Sequence, residues 1–88
     1  MGKVTVHKIG QIKVKMDTPD DVYYDAKDPH VSFERDGSVI LNHFYLATAN
    51  DYVGRDSDEK KAIYWVRKYQ EDLEDMYKKG NPKYLYKE

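Results

Sequence analysis

Between residues 62 and 77 the large apolar side chains recur at intervals of three and four: Ala62, Trp65, Val66, Tyr69, Leu73, Met76 and Tyr77. On a helix of 3.6 residues per turn this spacing gathers them into one stripe about a third of the circumference wide. Such a stripe is unstable in water, and a chain of 88 residues encloses a single core in which to bury it. The ends of the helix are marked as well. Asp56 stands as N-cap with Glu59 three residues later in a capping-box arrangement, and Asp58 adds negative charge to the first turn. Lys78, Lys79, Gly80 and Pro82 supply the stop. The pattern predicts one long helix over residues 57–79, with Lys60, Arg67, Glu71, Glu74, Asp75 and Lys78 turned to solvent. Charge pairs on that wet face, such as Asp75 with Lys79, add only about 0.2–0.5 kcal/mol each. Burying Trp65, Val66, Leu73 and Met76 is worth roughly 1.5–3 kcal/mol apiece, so packing has to hold the helix.

The partner for the stripe lies in the first half of the chain. Residues 3–7 and 11–16 alternate apolar with polar, the signature of half-buried strands, and Gly10 between them suits a tight connection. This hairpin would put Val4, Val6, Ile12, Val14 and Met16 on one face and Lys3, Lys13 and Lys15 on the other. Residues 17–28 hold five aspartates around Pro19, with Val22, Tyr23 and Tyr24 among them, and read as a loop. Residues 30–35 and 38–46 form a second hairpin through Arg35-Asp36-Gly37. A two-residue turn would set Phe33 opposite Ile40 and Val31 opposite Asn42. A three-residue turn with Gly37 left-handed pairs Phe33 with Val39 and Val31 with Leu41, and is preferred because it gathers four apolar side chains on one face. Asn50-Asp51 and Gly54 punctuate the connection to the helix. Tyr84, Leu85 and Tyr86 predict a tail that packs back onto the body. The expected fold is therefore a single α+β domain over residues 1–88: a four-stranded antiparallel sheet of two hairpins packed against one long C-terminal amphipathic helix.

Composition narrows the functions. Cysteine is absent, which removes disulfides, thiolate catalysis and cysteine-based zinc sites and fits a reducing compartment; the expected location is the cytoplasm. No apolar run approaches the roughly 18 residues of a membrane span, so no membrane partner is expected. Fifteen basic against sixteen acidic residues give a net charge of −1, too balanced to draw the whole molecule onto nucleic acid. An aromatic share of 14%, nine of those side chains being tyrosine, lets large rings build a core from few positions.

The order of parts resembles a known group. A Lys8-Ile9-Gly10 opening, a strand, an Asp-rich turn, Asp28-Pro29-His30-Val31 entering a strand, a Gly turn, and a helix containing Trp65-Val66 and Glu71-Asp72-Leu73-Glu74-Asp75-Met76 are similar, over about residues 6–80, to the small bacterial proteins grouped as domain of unknown function 4160. The resemblance implies a hairpin sheet and terminal helix, and a place beside another small protein in a toxin–antitoxin-like gene pair of a bacterium or phage. Of the family's His-rich loop only Pro29-His30 is kept, with Ser32 at the last His position, so the resemblance implies a fold more than a metal or catalytic centre.

Three candidate surfaces follow from the residues. His30, with Asp28 and Asp25 nearby, is the one low-ranking catalytic candidate, since an imidazole beside carboxylates can move a proton or ligate a metal. A metal site needs three or four converging ligands, and a turn at Asp28-Pro29 with His30 on a strand edge is the plainer reading; no metal or cofactor is assigned. His7 and His43 could join it only through the fold. The acidic loop, with Asp20, Asp21 and Asp25 flanking Tyr23 and Tyr24, is expected to form a protein interface together with Tyr64, which points away from the stripe. Lys3, Lys8, Lys13 and Lys15 could meet nucleic-acid phosphates, although no aromatic residue of the first hairpin shares their face. The leading expectation is a non-enzymatic protein-interaction module that binds another protein or a second copy of itself. The alternative is a nucleic-acid-binding or RNA-cleaving toxin-like protein using His30 and the basic hairpin.

Overall fold

The computed structural model describes residues 2–48 and 51–87, so Asn50 of the expected turn lies outside the described residues. Within them the order is β1 (Lys3–Ile9), β2 (Ile12–Asp17), β3 (His30–Arg35), β4 (Ser38–Tyr45), α1 (Ser57–Lys68) and α2 (Gln70–Lys79). The strands form one antiparallel sheet in the order β1-β2-β3-β4, and the class is α+β.

The turns are tighter than expected. In the second hairpin Arg35 pairs with Ser38 across a two-residue Asp36-Gly37 turn, with φ of 52° and 80°. Two left-handed residues give the twist that matches the flanking strands, which is why Asp-Gly is favoured there. The preferred three-residue turn is therefore corrected, and so are both sets of pairings. The register shifts on each side of Phe33, so that Phe33 faces Leu41 and Val31 faces Phe44. Each shift inserts one extra residue into β4. Together they bring the Phe44 ring to 5.2 Å from that of Phe33, an aromatic contact that neither simple register supplies.

β1 carries a shift of its own between Thr5 and His7. Val4 lies opposite Met16, but beyond the bulge it is His7 and Ile9 that oppose Val14 and Ile12, with Val6 buried at the irregularity. Ile12, Val14, Met16, Val31, Phe33 and Phe44 then make one continuous apolar face. Against it lie Ala62, Trp65, Val66, Leu73, Met76 and Tyr77.

The expected single helix is two. The division falls at Tyr69, with φ −110° and ψ 28°, although no proline or glycine stands between residues 57 and 79. The hydrogen-bond ladder runs through it, Tyr69 N–H donating to the Trp65 carbonyl (3.1 Å) and Leu73 N–H to that of Tyr69 (3.0 Å), so the stripe stays continuous. On either side of this division α1 lies over β1 and β2, while α2 carries Tyr77 toward the start of β3. Arg67, expected in solvent, instead lays its guanidinium 4.4 Å from the Phe44 ring and donates to the carbonyls of Leu46 (3.0 Å) and Thr48 (3.2 Å). At the other end Gly80, with φ 68°, closes α2 through its N–H to Tyr77 and that of Asn81 to Met76. A Cβ there would come within 2.6 Å of Pro19. The tail does pack back: Leu85 N–H donates to the Val6 carbonyl (2.7 Å) and the Trp65 indole N–H to that of Lys87 (2.8 Å), covering the free edge of β1.

Asp56 caps α1 as expected, accepting from Glu59 N–H at 3.0 Å. Glu59, however, does not return to Asp56. Its buried carboxylate accepts from the Tyr52 hydroxyl, from Arg55 N–H (2.9 Å) and from the Arg55 guanidinium (3.2 Å), tying the preceding connection to the helix. The Tyr52 hydrogen bond and then those of Arg55 hold its pKa down, against burial, from the usual 4.5 to about 2. A carboxylate depressed in the folded state contributes stability that is complete above the unfolded pKa and is lost as pH falls toward the folded one. Unfolding titrations should therefore show about 1–3 kcal/mol of stability disappearing between pH 4.5 and 2. Glu59→Gln should lack that share of the loss. Leu73, fully buried in the stripe, is expected on truncation to Ala to cost about 2–5 kcal/mol in denaturant unfolding.

Candidate functional site

Because side chains alternate along a strand, the residues between the core positions share the opposite face, which α1 and α2 leave bare. The register sets them in three rows across the sheet. At the hairpin tips Lys8, Lys13, Glu34 and Val39 follow one another. Next come Thr5, Lys15 and Ser32, with His43 beyond them on β4. The far row holds Lys3, Asp17, His30 and Tyr45.

That last row contains a buried cluster of charged and titratable side chains. Asp17 and His30 are each 2% exposed. His30 Nε2 lies 2.8 Å from Asp17 Oδ2, and its Nδ1 lies 3.0 Å from the Asp28 carbonyl oxygen. Both ring nitrogens are thus engaged, and the Tyr77 hydroxyl lies 3.5 Å from Nδ1 as well. Lys3 Nζ lies 3.0 Å from Asp17 Oδ1 without hydrogen-bond alignment, and reaches Ser32 Oγ at 3.4 Å. One buried carboxylate is thus shared by the His30 ring and the Lys3 ammonium, which is what makes its burial tolerable.

The ring of His43 stands 4.5 Å from that of His30. Burial first, and then the positive charges of His30 and Lys3, lower its pKa despite the opposing pull of Asp17. Tyr77 reaches the same corner from α2, its ring 5.5 Å from His30 and its hydroxyl accepting from Asp25 N–H at 2.8 Å. Burial pushes that phenol up to about 12, so it stays protonated.

The acidic loop roofs this corner. Tyr23 sets its ring edge-on to His43 at 6.1 Å, with Lys3 Nζ 5.8 Å from its centre. Tyr24 turns inward instead, half-buried, stacked on Tyr77 at 4.7 Å and donating its hydroxyl to the Tyr77 carbonyl (2.9 Å). Asp21 and Asp25 accept from Tyr23 N–H and Lys27 N–H at 2.9 Å and serve as turn formers. Asp20 is exposed and takes the Thr18 hydroxyl.

The structure separates residues that the sequence grouped and joins others that it kept apart. Tyr64 is exposed on α1, beside a groove of about 240 Å³ lined by His7, Ile9, Trp65, Lys61 and Lys68. It lies on the helix side, at the other end of β1 from Tyr23, roughly 20 Å of strand away. His7 belongs to that side, stacked on Trp65 at 4.1 Å, so only His30 and His43 converge. Lys3, Lys8, Lys13 and Lys15 do share the bare face, though Lys3 is tied to Asp17 and Lys15 lies 3.5 Å from Glu34. Sequence reasoning missed Asp17 as the partner of His30. Alternation continued one residue past Met16 would have placed it on the lysine face. Asp28, chosen for its nearness in sequence, contributes its carbonyl and not its carboxylate.

Comparison with models of protein families, with curated proteins and with solved structures found no match. Among the described residues no helix is long and apolar enough to cross a membrane, and no three His, Asp or Glu side chains are grouped to hold a metal ion.

Replacing one partner of a buried ion pair leaves the other uncompensated. Asp17→Asn should lower stability by about 3 kcal/mol or more. Asp28→Asn, on the exposed loop, should change it by less than about 0.5 kcal/mol in the same urea titration.

Proposed function

We propose that this chain is a small non-enzymatic binding module that works through the face of its sheet left bare by the helices. The observation that carries the reading is the state of the His30–Asp17 pair. Among the described residues it is the one place where an imidazole lies within hydrogen-bonding distance of a carboxylate, yet both ring nitrogens are engaged and both side chains are 2% exposed, so neither is open to a substrate. What it does is fix the ends of β2 and β3 under a surface that carries Tyr23, His43, Tyr45 and the lysines. Buried charge in such a place sets geometry for a neighbouring surface.

The similarity of residues 6–80 to the small bacterial group named above supports placing the module beside a second small gene product, in a bacterium or phage. The expected interface of Tyr23, Asp20, Asp21 and Asp25 with Tyr64 narrows in this reading to the Tyr23 side, since Tyr64 lies on the other face.

The test is capture from lysate by the tagged chain. Tyr23→Ser with Tyr45→Ser should lose the captured partner while circular dichroism stays that of the wild type, and Tyr64→Ser should keep it. Equal recovery by the Tyr23/Tyr45 variant and the wild type would refute the assignment to this face.

A further inference from the structure

The bare face also indicates what lies on it. Its β1–β2 half carries four lysines, against two carboxylates that are already engaged, Asp17 with Lys3 and His30, and Glu34 with Lys15. Lys8 and Lys13 stand directly opposite each other, and among the described residues neither forms an ion pair, Glu34 beside Lys13 in the row lying 3.5 Å from Lys15 instead. Like charges placed side by side repel and are destabilising, so this pair favours an external anion. The other half carries rings: Tyr23 is 58% and Tyr45 37% exposed, with His43 between them, its centroid 6.1 Å from Tyr23 and 6.0 Å from Tyr45. The two halves lie side by side, three interstrand spacings or roughly 14 Å across, and Lys13 to Asp17 spans roughly 13 Å along β2.

Cations along one side and stackable rings along the other are the two components of a single-strand nucleic-acid platform, and a four-stranded sheet presents them at the spacing of about two or three bases. The lysine-only hairpin lacked the rings; β4 and the acidic loop supply them. We propose that the bare face binds a short single strand of nucleic acid, its phosphates over Lys8, Lys13 and Lys15 and its bases on Tyr23, His43 and Tyr45. The acidic loop at the Tyr23 end bounds the site, because its aspartates repel a strand running further in that direction. This rests on the reading of the bare face as the working surface and names its occupant.

Fluorescence anisotropy with labelled oligouridylate and oligothymidylate tests it at several salt concentrations. Binding should weaken with salt along a log–log slope of about −1.4 to −2.8, the value for two to four released counterions on a single strand. Lys8→Glu with Lys13→Glu should weaken binding at least tenfold and flatten that slope by about 1.4. Tyr45→Ala should lose roughly 5- to 150-fold, whereas Tyr45→Phe, which keeps the ring, should bind as the wild type does. Tighter binding of oligouridylate would assign the site to RNA, and equal binding to single strands of either sugar. No anisotropy change up to millimolar protein at low salt would overturn the inference, as would a signal unaltered in the lysine and Tyr45→Ala variants. Lysate capture that depends on Tyr23 and Tyr45 but yields a protein resistant to nuclease would overturn it too, while leaving the bare face as the binding surface.

Discussion

A chain of this length has apolar side chains for one interface between a sheet and helices, and the rest of the structure depends on where that interface lies. α1 and α2 cover the face built on Ile12, Val14, Met16, Phe33 and Phe44. Nothing comparable remains to cover the other side, and a sheet with one wet face must populate it with polar and half-exposed aromatic residues. The bare face is therefore a consequence of size. Its content is what distinguishes it: lysines over the first hairpin, rings over the last strand, and a closed ionic cluster at one end.

That cluster runs against the usual economy of a small protein. Burying Asp17 and His30 costs desolvation energy that a pair of apolar side chains would avoid, and the cost is offset because the carboxylate is shared between His30 and Lys3 and the second ring nitrogen finds the Asp28 carbonyl. The gain is positional. It pins three strand ends and the root of the acidic loop in one arrangement, and beside it burial first, and then the charges of His30 and Lys3, lower the pKa of His43. Tyr77 couples the same corner to α2, so the packing of the helix and the geometry of the open face share one joint.

Local irregularities decide which residues reach which side. The bulge in β1 turns His7 and Ile9 toward the helices and leaves Lys8 on the bare face opposite Lys13. The two shifts in β4 bring Phe44 into the core and hold His43 and Tyr45 outside. Without them a period of two would carry part of each strand onto the wrong side. The bend at Tyr69 acts similarly on the helices, letting α1 follow β1 and β2 while α2 reaches the start of β3.

The α+β class, the two hairpins, the apolar stripe, the Asp56 cap and the Gly80 stop were determined by the sequence alone, because each rests on periodicity or on the chemistry of one or two adjacent residues. The register of the second hairpin, the bend at Tyr69 and the meeting of His30 with Asp17 and His43 were decided only by the tertiary structure. A bulge changes the pairing by one residue for a small cost in local hydrogen bonding, and what selects it is a distant contact such as that of Phe33 with Phe44. Asp17 and His30 lie thirteen residues apart with a loop between them, and no local rule joins the end of one strand to the start of the next. Their adjacency exists only once β2 and β3 are paired, which is why this buried cluster could not be found by reading along the chain.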